Sequence, residues 1–176
     1  MGIASQGLKA GLAAGVIYGL LVGLLHLSTL ELCSQNQVQF IATQLLKQPP
    51  GGNVTAQDLF ATDLVYFPMI FGIVALIYGV VYGVIFSFLY GRIPGSSSKR
   101  KGMVFALPVF VIGIFAGPAA FSYDCSPSFV PLLSLAAGLP VSLAFGYVLG
   151  VFFDSFGRLA QEQREEEERR RAQAET

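Results

Sequence analysis

The sequence predicts an all-α membrane protein, four transmembrane helices in a glycine-rich, tightly packed bundle, and three observations carry that prediction. The 176 residues are 53% hydrophobic and only 12% charged, about half the charged share of a soluble domain, and the mean hydropathy is +0.62. Four apolar segments, at about 7–30, 64–91, 103–123 and 129–153, each reach the ~20 helical residues that a hydrocarbon core requires. Within these segments small residues recur at every fourth position.

The first span carries the longest such stripe: Gly7, Gly11, Gly15, Gly19 and Gly23. In a water-exposed helix each glycine would cost roughly 1 kcal/mol against alanine. In a bilayer the same spacing makes a smooth groove that a second backbone can approach closely. The apolar stretch is longer than a signal-peptide core and has no clear basic segment before it, so it reads as a retained membrane helix. Gln6 stands where a myristoylation motif needs Ser or Thr.

A loop of about thirty residues, 31–63, follows. Val38, Ile41, Ala42, Leu45 and Leu46 share helical spacing, which predicts an amphipathic helix on the membrane surface or over the bundle. Gln48, Pro49, Pro50, Gly51 and Gly52 end it. Thr55 or Asn53 then suits an N-cap for a second short helix over 57–62. Asn53-Val54-Thr55 is a glycosylation sequon, so Asn53 is a candidate acceptor if this loop faces outward. This loop is the best candidate for a recognition surface.

The second span repeats the four-residue pattern with Ala75, Gly79, Gly83, Ser87 and Gly91. The fourth does so with Ser134, Gly138, Ser142, Gly146 and Gly150, and the third has Gly113 and Gly117. Such stripes suit a self-packed bundle, contacts with copies or a larger partner, or the lining of a pore. The second and fourth spans also read alike, YGVVYGVIF with Gly91-Arg92 beyond and FGYVLGVFF with Gly157-Arg158 beyond. Two helix pairs related along the membrane normal, a 2+2 internal repeat, would explain this, and so would composition alone. Pro68 and Pro131 are expected in first turns of their helices. Pro108, Pro118 and Pro140 fall inside the third and fourth spans.

Charge orients the chain. Arg92, Lys99, Arg100 and Lys101 occupy the short loop between the second and third spans, with Lys9 and Arg158 on the same side. The 31–63 loop holds Glu31, Asp58 and Asp63 against Lys47 alone. The positive-inside rule then places both termini in the cytoplasm of a cell (plasma) membrane protein. Residues 1–157 form the transmembrane domain and 158–176 a charged cytoplasmic helical tail. In that tail Glu165, Glu166 and Glu167 precede Arg169, Arg170 and Arg171 by four residues, the favourable order for helical ion pairs.

Chemistry is sparse. Glu31, Asp63, Asp124 and Asp154 all fall at span ends, and no Lys or Arg lies mid-span, whereas ion-coupled transport normally uses charges inside the membrane. No Walker loop, G-x-S-x-G, HExxH or C-x-x-C is present, and no basic patch suits nucleic acid. No catalytic residue, metal ligand or cofactor site is expected. His26, the only histidine, and Met69 lie at comparable depth and could in principle ligate haem or copper, but a lone histidine on an apolar helix is more often a packing residue. Cys33 and Cys125 each follow a span end on the outer face, so the topology predicts a disulfide between them.

The block LIYGVVYGVIFSFLYGRIPGSSSKRKGMVFALPVFVIG, residues 76–113, resembles a pattern in small prokaryotic, particularly archaeal, four-helix membrane proteins of unknown function. In them a Tyr/Gly-rich helix runs into a Pro-Gly turn, a basic stretch, Lys-Gly and another helix. The resemblance implies a prokaryotic cytoplasmic membrane and no activity.

The expected function is a non-enzymatic accessory or structural subunit, packed in a larger membrane assembly or with copies of itself. The helix-packing candidates are Gly7, Gly11, Gly15, Gly19, Gly23, Gly79, Gly83, Gly138, Gly146 and Gly150. A small transporter or channel, with a path lined by Ser28, Thr29, Ser134 or Ser142, is the alternative. A haem- or copper-carrying electron-transfer subunit is a third reading. The expected partners are the lipid bilayer and other membrane subunits or copies of the chain.

Overall fold

A computed structural model describes residues 3–47, 54–120 and 129–174. Among these residues every regular element is helical: α1 (Ile3–Leu32), α2 (Ser34–Leu45), α3 (Ala56–Leu89), α4 (Ser98–Ala120) and α5 (Phe129–Ala174). α1, α3 and α5 are long and apolar enough to cross a membrane. Their outward faces carry Leu12, Leu20, Leu24, Ile73 and Ile77, each from 48% to 64% exposed. In water that much exposed aliphatic surface would drive association; lipid accommodates it at no cost.

The helices start and stop for local reasons. Thr55 caps α3 through a capping box: its hydroxyl accepts from the Asp58 N–H at 3.2 Å, and the Asp58 carboxylate accepts from the Thr55 N–H at 3.0 Å. The separate short helix expected over 57–62 is absent. Nothing between Thr62 and Tyr66 interrupts the backbone, so the segment is the first part of α3. Pro68 consequently lies inside that helix rather than in its first turn. At the other end the Arg92 and Ile93 N–H groups both donate to the Leu89 carbonyl, at 2.8 and 3.1 Å. Gly95 then reverses the chain at φ +151°, a conformation that favours glycine.

α2 is the helix expected on the long loop. None of its residues is buried, and it rests against α3. Asn53 lies outside the described residues, as do the Pro-Pro-Gly-Gly stretch, Asp124 and Cys125. α5 continues through position 158 without a break, so transmembrane and tail segments form one rod. Its residues from 161 to 170 are all exposed.

α1 packs antiparallel on α3, α4 antiparallel on α5, and α1 joins the two hairpins along α5. The centre is aromatic and small: Phe86, Phe105, Phe145, Phe153 and Leu149 close on Ala10 and Ala14. Phe86 and Leu149 are completely buried.

Candidate functional site

The closest approaches in the molecule are backbone on backbone. A Cβ on Gly11 would strike the Gly79 carbonyl, and one on Gly79 would strike the Gly11 carbonyl and lie 2.6 Å from Gly15 Cα. One turn away, Gly7 and Gly83 oppose each other in the same manner. A Cβ on Gly15 would stand 2.8 Å from the Ala75 carbonyl, and one on Gly19 would stand 3.0 Å from the Ala75 side chain. Backbones this close bring Cα–H groups toward carbonyl oxygens, contacts worth about 0.5–1 kcal/mol each.

The second hairpin repeats the arrangement in the same register. Gly146 opposes Gly102 reciprocally, with Ala106 Cβ 2.7 Å from where its own Cβ would stand, and Gly150 opposes the Ser98 carbonyl. Thus Gly11, Gly7 and Gly15 hold the places on α1 that Gly102, Ser98 and Ala106 hold on α4. A Cβ on Gly138 would stand 3.2 Å from the Phe110 ring. Sequence reasoning did not select Gly102, Ser98 or Ala106, although their four-residue spacing was a usable signal. The basic residues around them drew attention to the loop instead.

Gly23 belongs to the stripe of α1, but a Cβ added there would meet nothing within 4 Å, and the same holds for Gly72 on α3. There the helices diverge and leave a groove of about 530 Å³, lined by Gly23, Leu24, Leu27, Met69, Gly72 and Ile73 among others. Every lining side chain is apolar.

His26 sits beside this region but faces elsewhere, its ring 4.4 Å from that of Phe71 and 5.6 Å from that of Phe67. Met69 is two residues from each of these, about 200° around the helix, and lines the groove. Imidazole and thioether are therefore turned to different faces. Among the described residues no three His, Cys, Asp or Glu side chains come together. Ser28 and Thr29 donate to the carbonyls of Leu24 and Leu25 in their own helix, at 3.0 and 2.9 Å, which is how hydroxyls are satisfied in lipid rather than in a water path. Ser142 is 6% exposed. The side chain of Ser134 is outside the described residues. Cys33 is 1% exposed at the α1–α2 junction.

The polar groups of the bundle gather at one end, where four helices meet. Tyr90 Oη and Ser98 Oγ are 2.7 Å apart, and Ser98 Oγ donates to Asp154 Oδ1 at 3.3 Å. Asp154 in turn pairs with Arg158 at 3.7 Å, both largely exposed, so that ion pair adds little. Lys101 donates to the Tyr90 carbonyl at 3.0 Å and lies 4.2 Å over the Tyr90 ring. Gln6 Nε2 donates to the Phe153 carbonyl at 2.6 Å. The cluster ties the end of α3 to the start of α4 and to α5. Its hydroxyls hydrogen-bond between helices.

Among the described residues, fold and site thus define an all-helical protein with three helices long and apolar enough to cross a membrane, packed through close glycine contacts and tied at one end by a polar clamp. No protein-family model, no curated protein and no solved structure matches the chain.

Proposed function

We propose that the chain is an integral membrane accessory subunit, without catalytic chemistry of its own, that seats a helix of a partner subunit or of a second copy in the α1–α3 groove. One observation carries this reading. An added Cβ would meet nothing at Gly23, Gly72, Gly91 and Gly113, and of these Gly23 and Gly72 line one shared groove between α1 and α3. Helices in lipid associate through close packing at small residues, and an open continuation of such a surface suits a further helix.

In this reading α4 is a fourth span. It is 23 residues long and lies along α5 from Ser98 at Gly150 to Phe110 at Gly138, and it carries the chain back across the bilayer between α3 and α5. Lys99, Arg100, Lys101 and Arg92 then lie with both termini on the cytoplasmic side of the plasma membrane. The two hairpins share one packing register, which supports the 2+2 repeat. A Cys33–Cys125 disulfide would tie the outer loops together; the burial of Cys33, and the lack of any free thiol among the described cysteines, support it. Asn53 would be the acceptor wherever the host glycosylates.

Gentle detergent extraction from native membranes, then native gels and mass spectrometry, tests the proposal. Co-migration with defined larger subunits, or a homo-oligomer lost in Gly23→Leu and Gly72→Leu, supports it. A lone monomer unaffected by either change overturns it. The repeat favours a second reading, a small transporter working at the interface of the two hairpins, which flux into liposomes would reveal.

A further inference from the structure

Four cations and no carboxylate lie between Asp63 and Asp124: Arg92, Lys99, Arg100 and Lys101. All four stand at the turn from α3 to α4. Lys101 is turned inward, its ammonium on the Tyr90 carbonyl and over the Tyr90 ring. The other three are exposed, and among the described residues none of them has a carboxylate partner. Asp154, the acid of the polar clamp, is taken by Ser98 and Arg158. Uncompensated positive charge therefore collects on the outside of this turn.

Arg100 heads an exposed apolar line. Val104, Leu107 and Val111 each stand within about 40° of it around the helix, and they are 38%, 45% and 48% exposed. Ser98, Gly102 and Ala106, which meet α5, lie on the opposite side of α4. The Arg100 side chain donates from Nη1 to Ser96 Oγ at 3.3 Å, so most of the five N–H donors of the guanidinium stay open. The neighbouring Lys99 holds its ammonium 5.6 Å from the centre of the Tyr147 ring on α5, and Tyr147 is 43% exposed. That contact keeps the lysine chain against the bundle.

We propose that Arg100 and Lys99 hold the phosphate of an anionic phospholipid whose acyl chains lie along Val104, Leu107 and Val111. The site rests on the reading of α4 as a membrane span. Cations at one end and apolar side chains turn by turn below them follow the order in which a lipid carries its phosphate and its tails. A guanidinium matches two phosphate oxygens at once. Phosphatidylcholine brings its own ammonium to the same surface, so cations without counter-charge favour a headgroup of net negative charge. An acidic protein segment would pair with the cations but has no use for the apolar line beneath them.

The chain has no tryptophan, so Leu107→Trp places a single indole on the line below Arg100. The full chain with this change is reconstituted in equimolar phosphatidylglycerol and phosphatidylcholine, with brominated chains on one lipid or the other. Quenching of the indole then reports which lipid sits there. We expect phosphatidylglycerol to be favoured roughly fivefold. Adding Lys99→Gln and Arg100→Gln should remove the preference. Arg169→Gln and Arg170→Gln on the tail make the same change of charge and should leave it in place. Ile77→Trp, on the exposed face of α3, should show no preference, and every substituted side chain is exposed. Equal quenching by the two lipids, or a preference that survives loss of Lys99 and Arg100, overturns the proposal and leaves α4 a span. So does a preference equally strong at Ile77→Trp, or one abolished by the tail substitutions, because either is general attraction to the surface. No quenching by either lipid overturns the reading of α4 as a span, and this site with it.

Discussion

Phe86 of α3 and Phe153 of α5 meet edge to face, ring centroids 5.3 Å apart and planes at 84°. Each stands three residues after the second glycine of its hairpin, Gly83 or Gly150. Matching positions of the two hairpins thus touch each other, a contact that the proposed 2+2 repeat calls for. Tyr90 of the polar clamp packs against the same Phe153 ring, centroids 4.7 Å apart.

Phe86 is completely buried, so Phe86→Ala should destabilise the bundle. In water the loss would be 3–5 kcal/mol. In a bilayer lipid tails solvate the ring about as well as the core does, so chiefly the cavity and lost dispersion remain. We expect about 2 kcal/mol, measured by reversible unfolding in mixed micelles.

Gly11→Ala and Gly79→Ala each push a methyl group into an opposing backbone carbonyl, which no side-chain rotation can relieve. Each should cost roughly 1–3 kcal/mol or more. Gly23→Ala meets open space, so it should be neutral or stabilising by up to about 1 kcal/mol through helix propensity. Thermal melts of the three variants compare these directly.

Gly146→Ala should be as damaging as Gly79→Ala, because it meets the Gly102 carbonyl in the same register. Gly79 and Gly146 have no immediate neighbour in common, so the effects should add within about 0.5 kcal/mol. A double variant much less damaged than that sum would argue that the hairpins do not pack independently.

Tyr90→Phe removes the hydroxyl that meets Ser98 at 2.7 Å. Ser98 is 7% exposed and keeps Asp154 as acceptor, so the expected loss is about 1 kcal/mol. Lys101→Met should cost a similar amount by uncapping the end of α3 and emptying the face of the Tyr90 ring. Hydrogen exchange over the 90–98 turn should quicken in both variants.

Thiol labelling of native membranes, with and without prior reduction, tests the proposed outer disulfide. Cys33 and Cys125 should react only after reduction. Two thiols labelled freely in the unreduced protein would remove the link between the outer loops.

Much of the architecture was legible in the chain. Helix identity follows from long apolar runs with a four-residue small stripe, because a bilayer admits a spanning segment only if its backbone is satisfied internally. The α2 helix was legible from the spacing of Val38, Ile41 and Leu45. The start of α3 was less so: Thr55 suited a cap, but nothing local shows that the cap belongs to the same helix as Pro68.

What the sequence determined by itself is the choice of helices and which residues of α1 and α3 are small enough for contact. Both are properties of one segment at a time, set by hydropathy and by the size of a side chain. Tertiary structure alone decided that Gly11 meets Gly79 while Gly23 meets nothing, that Ser98, Gly102 and Ala106 act as a packing stripe, and that His26 turns from Met69. It also decided that Tyr82 of α3 faces Phe105 of α4 and that Tyr18 of α1 faces Phe145 of α5. These depend on where two helices cross and where they diverge. A crossing point is set by the fit of both surfaces together, which neither segment encodes alone.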